Sequence, residues 1–376
     1  MEPKSLQEAV IYFQNPDNCI DYLAVRRWPN GVTCPTCGSE KVKFNADRRI
    51  WQCSTHHPKR QFSIKVGTIF EDSAIGLDKW MVATWMLTNC KNGISSYELA
   101  RALKITQKSA WFMLHRIRLA LQEGTILKKM GGNGSPVEVD ETYIGGKAKN
   151  MHKSKKVRIM QKRNEIPDWK YVATGPGRLP GKTPIHGIFD RETRKVRVTV
   201  VPNIKRETLQ AQILNNVIPG ARVFTDEAFV YSDLEKHYVH EIVNHLREYV
   251  RGQVHTNAME NFWSLLKRGL NGTYVSVEPF HLFRYVDEQV FRFNNRKDGN
   301  RKMSDKERFD IAVSRIVGKR LTFVCRTDWQ GGSRRDVLIL CARSAARSGR
   351  FSLPLRLLTN PAIFGGVCYW RSVQLG

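Results

Sequence analysis

The chain has 376 residues and a formal net charge of +26, because 61 lysines and arginines face 35 acidic residues. This length allows two or three domains, and the apolar content of 41% predicts a globular protein rather than a disordered one. The positive charge favours a polyanionic partner, which inside cells is most often nucleic acid. No segment reaches the roughly 18 apolar residues that cross a bilayer. The first residues do not form a signal peptide, so we expect a cytoplasmic, nucleoid-associated protein without membrane contact.

Composition divides the chain into four predicted parts. Their bounds are 1–75, 76–130, 136–320 and 321–376. The first holds an N-terminal helix and two pairs of metal-ligand residues, and the second is helical. The third mixes strands and helices, and it contains a basic insertion at 148–182. The last has eight arginines and no lysine; it is either a read-through extension or a variable tail, and we assign it no function.

Four residues of the first part have the spacing of metal ligands. Cys34 and Cys37 form a CxxC pair, and after fifteen intervening residues come Cys53 and His56. Four nitrogen and sulfur ligands at this spacing are typical of a structural, tetrahedral Zn²⁺ site. His57 competes for the fourth position, but the spacing favours His56. The alternative is a CxxC pair that binds no metal and has Cys53 and His56 nearby only by chance. Its cysteines would be reduced, because cytoplasmic cysteines rarely form disulfides.

The helical second part predicts two short helices joined by a tight link. Ser95 or Ser96 can cap the first helix, and Thr106 can cap the second. The short link and the apolar spacing are typical of a helix-turn-helix, whose second helix enters the major groove of double-stranded DNA. Lys108 and Arg116 are the predicted DNA contacts. The alternative is a plain helical hairpin that packs against the rest of the protein.

Three acids of the third part occupy positions that suit a carboxylate cluster. Asp140 lies in one strand-like run, Asp226 ends another, and Glu260 lies in an amphipathic helix. Strand alternation allows only one of Asp140 and Glu141 on a given face, and the geometry at Asp226 favours Asp140. Lys267 follows Glu260 by seven residues, about two turns, so both lie on one helix face. Each acid alone would more often be solvated, but together they indicate a Mg²⁺ site for phosphodiester chemistry.

These motifs resemble those of the DDE transposases of bacterial insertion sequences, in the subgroup with an N-terminal zinc ribbon. The matching runs are CPTCG at 34–38, CSTH at 53–56, FSIKVGTIF at 62–70, VDETYIGG at 139–146, FTD at 224–226 and HTNAMENFWSLLKRG at 255–269. The resemblance extends over residues 5–320. The family usually completes its ribbon with a fourth cysteine, where this chain has His56.

The resemblance implies an α/β fold, in which a ribonuclease-H-like mixed-sheet core follows the zinc ribbon and the helix-turn-helix. It implies that Asp140, Asp226 and Glu260 are catalytic ligands of two Mg²⁺ ions, and that Lys267, with Arg268 beside it, contacts DNA. The expected activity is binding of terminal inverted repeats, followed by strand cleavage and strand transfer into target DNA. Because two ends must be brought together, we expect a homo-oligomer on DNA.

Two other functions stay open at this point. A nuclease of the same fold would cut DNA without joining it. A zinc-dependent DNA-binding regulator, or an inactive transposase relative, would bind DNA without cutting it. The three intact acids argue against an inactive core, and magnesium-dependent joining of strands separates a transposase from both alternatives.

Overall fold

The computed structural model describes residues 2–123, 128–145, 182–226, 229–243, 256–324 and 369–374, with the backbone alone at 133, 226, 229, 243, 322–324 and 369–374. The predicted basic insertion at 148–182 lies outside the described residues, apart from Lys182. Within the described ranges, no helix is both long enough and apolar enough to cross a membrane.

The described α-helices are α1 (Leu6–Phe13), α2 (Pro16–Arg27), α3 (Leu77–Asn89), α4 (Ser96–Leu103), α5 (Gln107–Leu121), α6 (Arg206–Asn216), α7 (Asn257–Gly269), α8 (Leu282–Asn294) and α9 (Asp305–Ser314). The strands are β1 (Val42–Asn45), β2 (Ile50–Cys53), β3 (Gln61–Phe62), β4 (Val137–Ile144), β5 (Thr183–Asp190), β6 (Lys195–Val200), β7 (Arg222–Asp226), β8 (Val239–Val243), β9 (Lys297–Asp298), β10 (Arg301–Lys302), β11 (Lys319–Val324) and β12 (Tyr369–Gln374).

The central sheet has five strands in the order β6-β5-β4-β7-β8. Strands β4, β5 and β6 form an antiparallel meander, whereas β7 and β8 run parallel to β4. The parallel strands are reached by longer connections, and α6 lies in the connection between β6 and β7. A mixed sheet of this order is consistent with the ribonuclease-H-like core that the resemblance implies, so the predicted fold class is confirmed.

Helices cover both faces of this sheet. On one face, Val137 and Val139 of β4 pack in a core with Leu209 and Ile213 of α6. On the other face, residues of β5 and β6 form a core with α7 and α8. The period of two along β4 explains this division, because alternate side chains of a strand point to opposite faces.

The N-terminal part has its own core, shared with α9. Helices α1 to α5, the ribbon strands and α9 contribute to one buried cluster. Phe309 of α9 lies against Phe13, Tyr22 and Trp85, with ring centroids 5.0 to 5.7 Å apart. The chain therefore returns to its N-terminal part after the central sheet is complete.

The two predicted helices of the second part are present with their caps. Ser95 caps α4 in a capping box with Glu98, and Thr106 accepts a hydrogen bond from the Ser109 backbone N–H at the start of α5. Lys104 ends α4 in the left-handed region, at φ 49°, which makes the short link between the helices possible. The second half of α5 is buried along its whole length.

The last predicted part begins within a strand. Strand β11 runs across position 321 and pairs antiparallel with β12, so that Lys319 lies opposite Gln374. Residues 325–368 between these strands lie outside the described residues.

Candidate active site

Two of the three predicted acids lie on adjacent strands of the central sheet. The parallel register pairs Val137 with Val223 and Glu138 with Phe224. Asp140 and Asp226 each follow the last pair of this register by two residues. The backbone of Asp226 ends β7, and its side chain lies outside the described residues.

The Asp140 carboxylate is held by two N–H donors. Its Oδ1 accepts the backbone N–H of Glu141 at 2.8 Å, and its Oδ2 accepts the indole N–H of Trp263 at 2.9 Å. Glu141 points to the opposite face of the sheet, where its carboxylate accepts the hydroxyl of Tyr231. The alternation predicted from the sequence thus separates the two neighbouring acids as expected.

A buried carboxylate two residues before Asp140 attaches α7 to the sheet. Glu138 is completely buried, and its Oε2 accepts the backbone N–H groups of Ala258 and Met259 at 3.0 and 3.2 Å. Its Oε1 accepts a hydrogen bond from Arg191 at 2.7 Å. The N-terminus of a helix carries a partial positive charge and unpaired N–H groups, both of which a carboxylate stabilises.

The role of Glu138 was missed by the sequence analysis. Strand alternation places it on the same face as Asp140, and an acid between Val137 and Val139 in a strand-like run needs a buried partner if the strand is central. That pattern is the signal that could have identified it. The contact also shows how α7 is brought to β4, since its first turn is bonded to this strand.

The third predicted acid lies in the first two turns of α7. Glu260 is exposed. It follows Ala258 and Met259, whose N–H groups bond Glu138, and it precedes Trp263 by about one helical turn. Lys267 and Arg268 are exposed in the last turn of the same helix. A Cβ added at Gly269 would lie 3.5 Å from the carbonyl of Asn92, so the end of α7 adjoins the loop that precedes α4.

The carboxylates of this region suit a hard divalent cation. Asp140 and Glu260 offer oxygen ligands on two elements that are bonded to each other, and Asp226 ends the strand beside β4. Oxygen donors are the ligands that Mg²⁺ prefers, and it usually binds through one or two carboxylates together with substrate phosphates. The donor set is therefore compatible with Mg²⁺.

A second group of ligands lies in the ribbon. Sulfur atoms of Cys34, Cys37 and Cys53 and a ring nitrogen of His57 all lie within 4.8 Å of one another. His57 Nε2 is 3.4 Å from Cys34 Sγ, and Cys37 Sγ is 3.6 Å from Cys53 Sγ. Tetrahedral zinc with ordinary bond lengths needs ligand separations of about 3.5–3.8 Å. Three thiolates and one imidazole at these distances fit a structural Zn²⁺ ion.

The sequence-based choice of His56 as fourth ligand is wrong, because the structure places His57 in this position. His56 is exposed, whereas His57 is half-buried beside Cys34. The loop after Cys53 is closed by a hydrogen bond from the Cys53 N–H to the Arg60 carbonyl. This loop is wider than the tight CxxC turn at Cys34, which Gly38 closes at φ +72°. The spacing rule for tight turns therefore does not apply to the second pair.

Zinc content distinguishes the two histidines. We expect His57→Ala to lose bound zinc and to weaken the fold of the ribbon, since the metal contributes directly to the folding of such small modules. The matched variant His56→Ala should keep one zinc per chain. The measurement is metal content by mass spectrometry after dialysis against a mild chelator. Zinc retention by His57→Ala together with zinc loss by His56→Ala would contradict this assignment.

One predicted DNA contact is also corrected by the structure. Arg116 is only 5% exposed, and its guanidinium donates to the backbone carbonyls of Ile69 and Glu71 at 2.8 and 2.6 Å. It therefore joins α5 to the turn before α3 and is not available to DNA. The amphipathic pattern failed here because α5 is covered on several sides by distant parts of the chain. Lys108, in the first turn of α5, is exposed.

Comparison with known proteins identifies two matching families and two relatives. The ISXO2-like transposase domain matches residues 131–294, and the transposase zinc-ribbon domain matches residues 14–55. A protein in the transposable element ISH50 of Halobacterium salinarum is 28% identical over 268 residues, which are 69% of this chain and 84% of that protein. A transposase-like protein of Haemophilus influenzae is 32% identical over 102 residues, which are 27% of this chain and 82% of that protein.

Proposed function

This chain belongs to the ISXO2-like transposases, and on that premise we propose that it binds the terminal inverted repeats of its element and catalyses Mg²⁺-dependent strand cleavage and strand transfer. The observation that carries the proposal is the junction of β4, β7 and α7. These three elements bear Asp140, Asp226 and Glu260, and β4 is directly bonded to both of the others.

We assign Asp140, Asp226 and Glu260 as the ligands of two Mg²⁺ ions. Bound Mg²⁺ would supply Lewis-acid activation of water and of a DNA 3′-hydroxyl, and it would neutralise charge on the phosphate. The protein contributes the orientation of the ligands. Hydrogen bonds from the Glu141 backbone N–H and the Trp263 indole N–H hold the Asp140 carboxylate in a fixed orientation.

The exposed basic residues provide a path for DNA towards this junction. Lys267 and Arg268 end the helix that carries Glu260, and this end adjoins the loop at Asn92 that leads into α4. Lys108 lies in the first turn of α5, the part of a recognition helix that contacts base edges in a helix-turn-helix. We propose that these cations contact the end DNA, chiefly its phosphates.

The zinc ribbon and the helix-turn-helix are proposed to select the element ends. Both share one core with α9, so they form a connected unit next to the central sheet. Since strand transfer needs two ends in one complex, we propose that the protein acts as a homo-oligomer on DNA. The net charge of +26 favours such extended contact with a polyanion.

A strand-transfer assay tests this function against its alternatives. Purified protein is incubated with Mg²⁺, a labelled duplex that carries one end of the element encoding this chain, and supercoiled target plasmid. We expect a nick at the end of the element and a covalent product that joins the label to the plasmid. Omission of Mg²⁺ should abolish both.

Two other outcomes overturn the proposal in different ways. Cleavage without joined product would identify a nuclease of the same fold. Tight, sequence-specific binding of the end duplex without any Mg²⁺-dependent cleavage would identify a DNA-binding regulator with an inactive core.

A further inference from the structure

We infer that Trp263 is the positioning residue for Asp140, and that the absence of a side chain at Gly187 leaves the space that the Trp263 indole occupies. This inference rests on the proposed role of Asp140 as a metal ligand. Trp263 lies on α7, three residues or about one helical turn after Glu260. The side chain that donates to Asp140 is therefore a neighbour of Glu260 on the same helix.

The indole reaches Asp140 because the neighbouring strand has no side chain at that point. Gly187 of β5 lies directly opposite Asp140. A Cβ added at Gly187 would collide with the end of Met259 and would come within 2.7 Å of the Trp263 ring. A rigid ring cannot yield as a flexible side chain can, so any larger residue at position 187 displaces the indole from Asp140.

The hydrogen bond has a chemical consequence beyond packing. The indole N–H is a donor only, so it contacts the ionised carboxylate without competing for a cation. It occupies one lone pair of Oδ2, as the Glu141 N–H occupies one of Oδ1. Rotation of the carboxylate about χ2 would break both bonds. Trp263 therefore orients the oxygens that are proposed to bind Mg²⁺.

Trp263→Phe isolates the hydrogen bond from the packing. Phenylalanine retains most of the buried ring, since Trp263 is only 4% exposed, but it has no N–H. We expect Mn²⁺ affinity to fall about tenfold, in the range of the roughly 10- to 100-fold losses seen for groups that orient metal ligands. The concentration of Mg²⁺ for half-maximal cleavage should rise by a similar factor, and saturating metal should restore much of the rate.

The probe is Mn²⁺, and its binding to zinc-loaded protein on end duplex is followed by electron paramagnetic resonance. A matched control is Trp80→Phe, in which a completely buried indole loses a 3.0 Å hydrogen bond to Ser73 in the N-terminal core. This control should lose comparable stability with no change in Mn²⁺ affinity. Equal Mn²⁺ affinity in Trp263→Phe, Trp80→Phe and the unmodified protein would overturn the inference.

Gly187→Ala provides a second variant that leaves Trp263 chemically intact. We expect it to weaken Mn²⁺ binding as Trp263→Phe does, because the added methyl group displaces the indole. In protein labelled with ¹⁵N-tryptophan, the Trp263 indole resonance should move on Gly187→Ala and also on Asp140→Asn. An unmoved resonance in both variants would also overturn the inference.

Failure of the inference can be told apart from failure of the proposed function. If Asp140→Asn abolishes cleavage but Trp263→Phe binds Mn²⁺ normally, Asp140 is a ligand that needs no support from Trp263. If Asp140→Asn leaves cleavage intact, the proposed site itself is wrong, and the inference falls with it.

Discussion

Replacement of Asp140 with asparagine is expected to lower strand cleavage by more than about 100-fold and to leave binding of the end DNA nearly unchanged. Loss of a group that merely orients a metal ligand costs roughly 10- to 100-fold, so loss of a ligand itself should cost more. Binding should persist because contacts between basic side chains and DNA phosphates dominate the affinity for DNA. Those basic side chains are not changed by the substitution at Asp140.

The side-chain amide is a conservative change at this position. It has almost the same shape as the carboxylate, and its single oxygen can still accept one of the two N–H groups, from Trp263 or from Glu141. The fold of the β4–α7 junction should therefore survive. What is lost is the negative charge that attracts a divalent cation, and an amide oxygen replaces that charge poorly.

The measurement combines a cleavage assay in Mg²⁺ with a gel-shift titration of the same end duplex. Glu141→Gln is the matched control, since it makes the same chemical change one residue away. Its side chain lies on the other face of the sheet against Tyr231, so cleavage should change only a few-fold. A fully active Asp140→Asn protein would refute the assigned site.

Replacement of Glu288 with glutamine should lower the free energy of unfolding by about 3–5 kcal/mol, because it leaves buried arginines without their counter-charge. Glu288 of α8 is completely buried. It accepts hydrogen bonds from Arg118 Nε at 2.7 Å, from the Tyr274 hydroxyl at 2.5 Å and from Arg292. Arg118 belongs to α5, so this carboxylate joins α5 to α8 beside the sheet.

The pH dependence follows from the direction of the pKa shift. Burial acts to raise the pKa of Glu288, but attraction to Arg292 and Arg118 outweighs it and holds the pKa below 4.5. A carboxyl whose pKa is lowered by folding stabilises the protein above its unfolded pKa. That contribution is therefore complete above about pH 4.5 and is lost as the pH falls below it.

Urea denaturation of both proteins at pH 7 and at pH 4 measures this effect. We expect the free energies of unfolding of the unmodified and Glu288→Gln proteins to differ strongly at pH 7 and less at pH 4. His115, whose pKa is lowered to about 2 by burial and by neighbouring cations, destabilises both proteins in acid. Glu278→Gln, at an exposed site, should change the unfolding free energy by less than about 0.5 kcal/mol. Equal stability of the Glu288→Gln and unmodified proteins at pH 7 would contradict the structural role of this group.

Local patterns were sufficient where one element decides the outcome. The alternation of β4 predicted that Asp140 and Glu141 point to opposite faces, and Trp263 and Tyr231 contact them there. The caps at Ser95 and Thr106 were also visible in the chain, since a cap depends on three or four consecutive residues.

Two predictions failed because they depended on distant parts of the chain. Arg116 has the spacing of an exposed helix residue, but the carbonyl groups that bind it belong to residues more than forty positions away. His57 rather than His56 lies with the three cysteines, in a loop whose ends are joined by the hydrogen bond from the Cys53 N–H to the Arg60 carbonyl. Neither fact can be obtained from spacing alone.

The sequence by itself determined the class of fold, the family, the ligand types of the ribbon and the strand face on which Asp140 lies, since these depend on periodicity and motif. Only the tertiary structure decided how α7 is held to β4, through the buried carboxylate of Glu138 and the indole of Trp263. More than one hundred residues separate these partners in the chain. A buried polar group is stable only beside a matching partner, and the packed fold alone shows which partner that is.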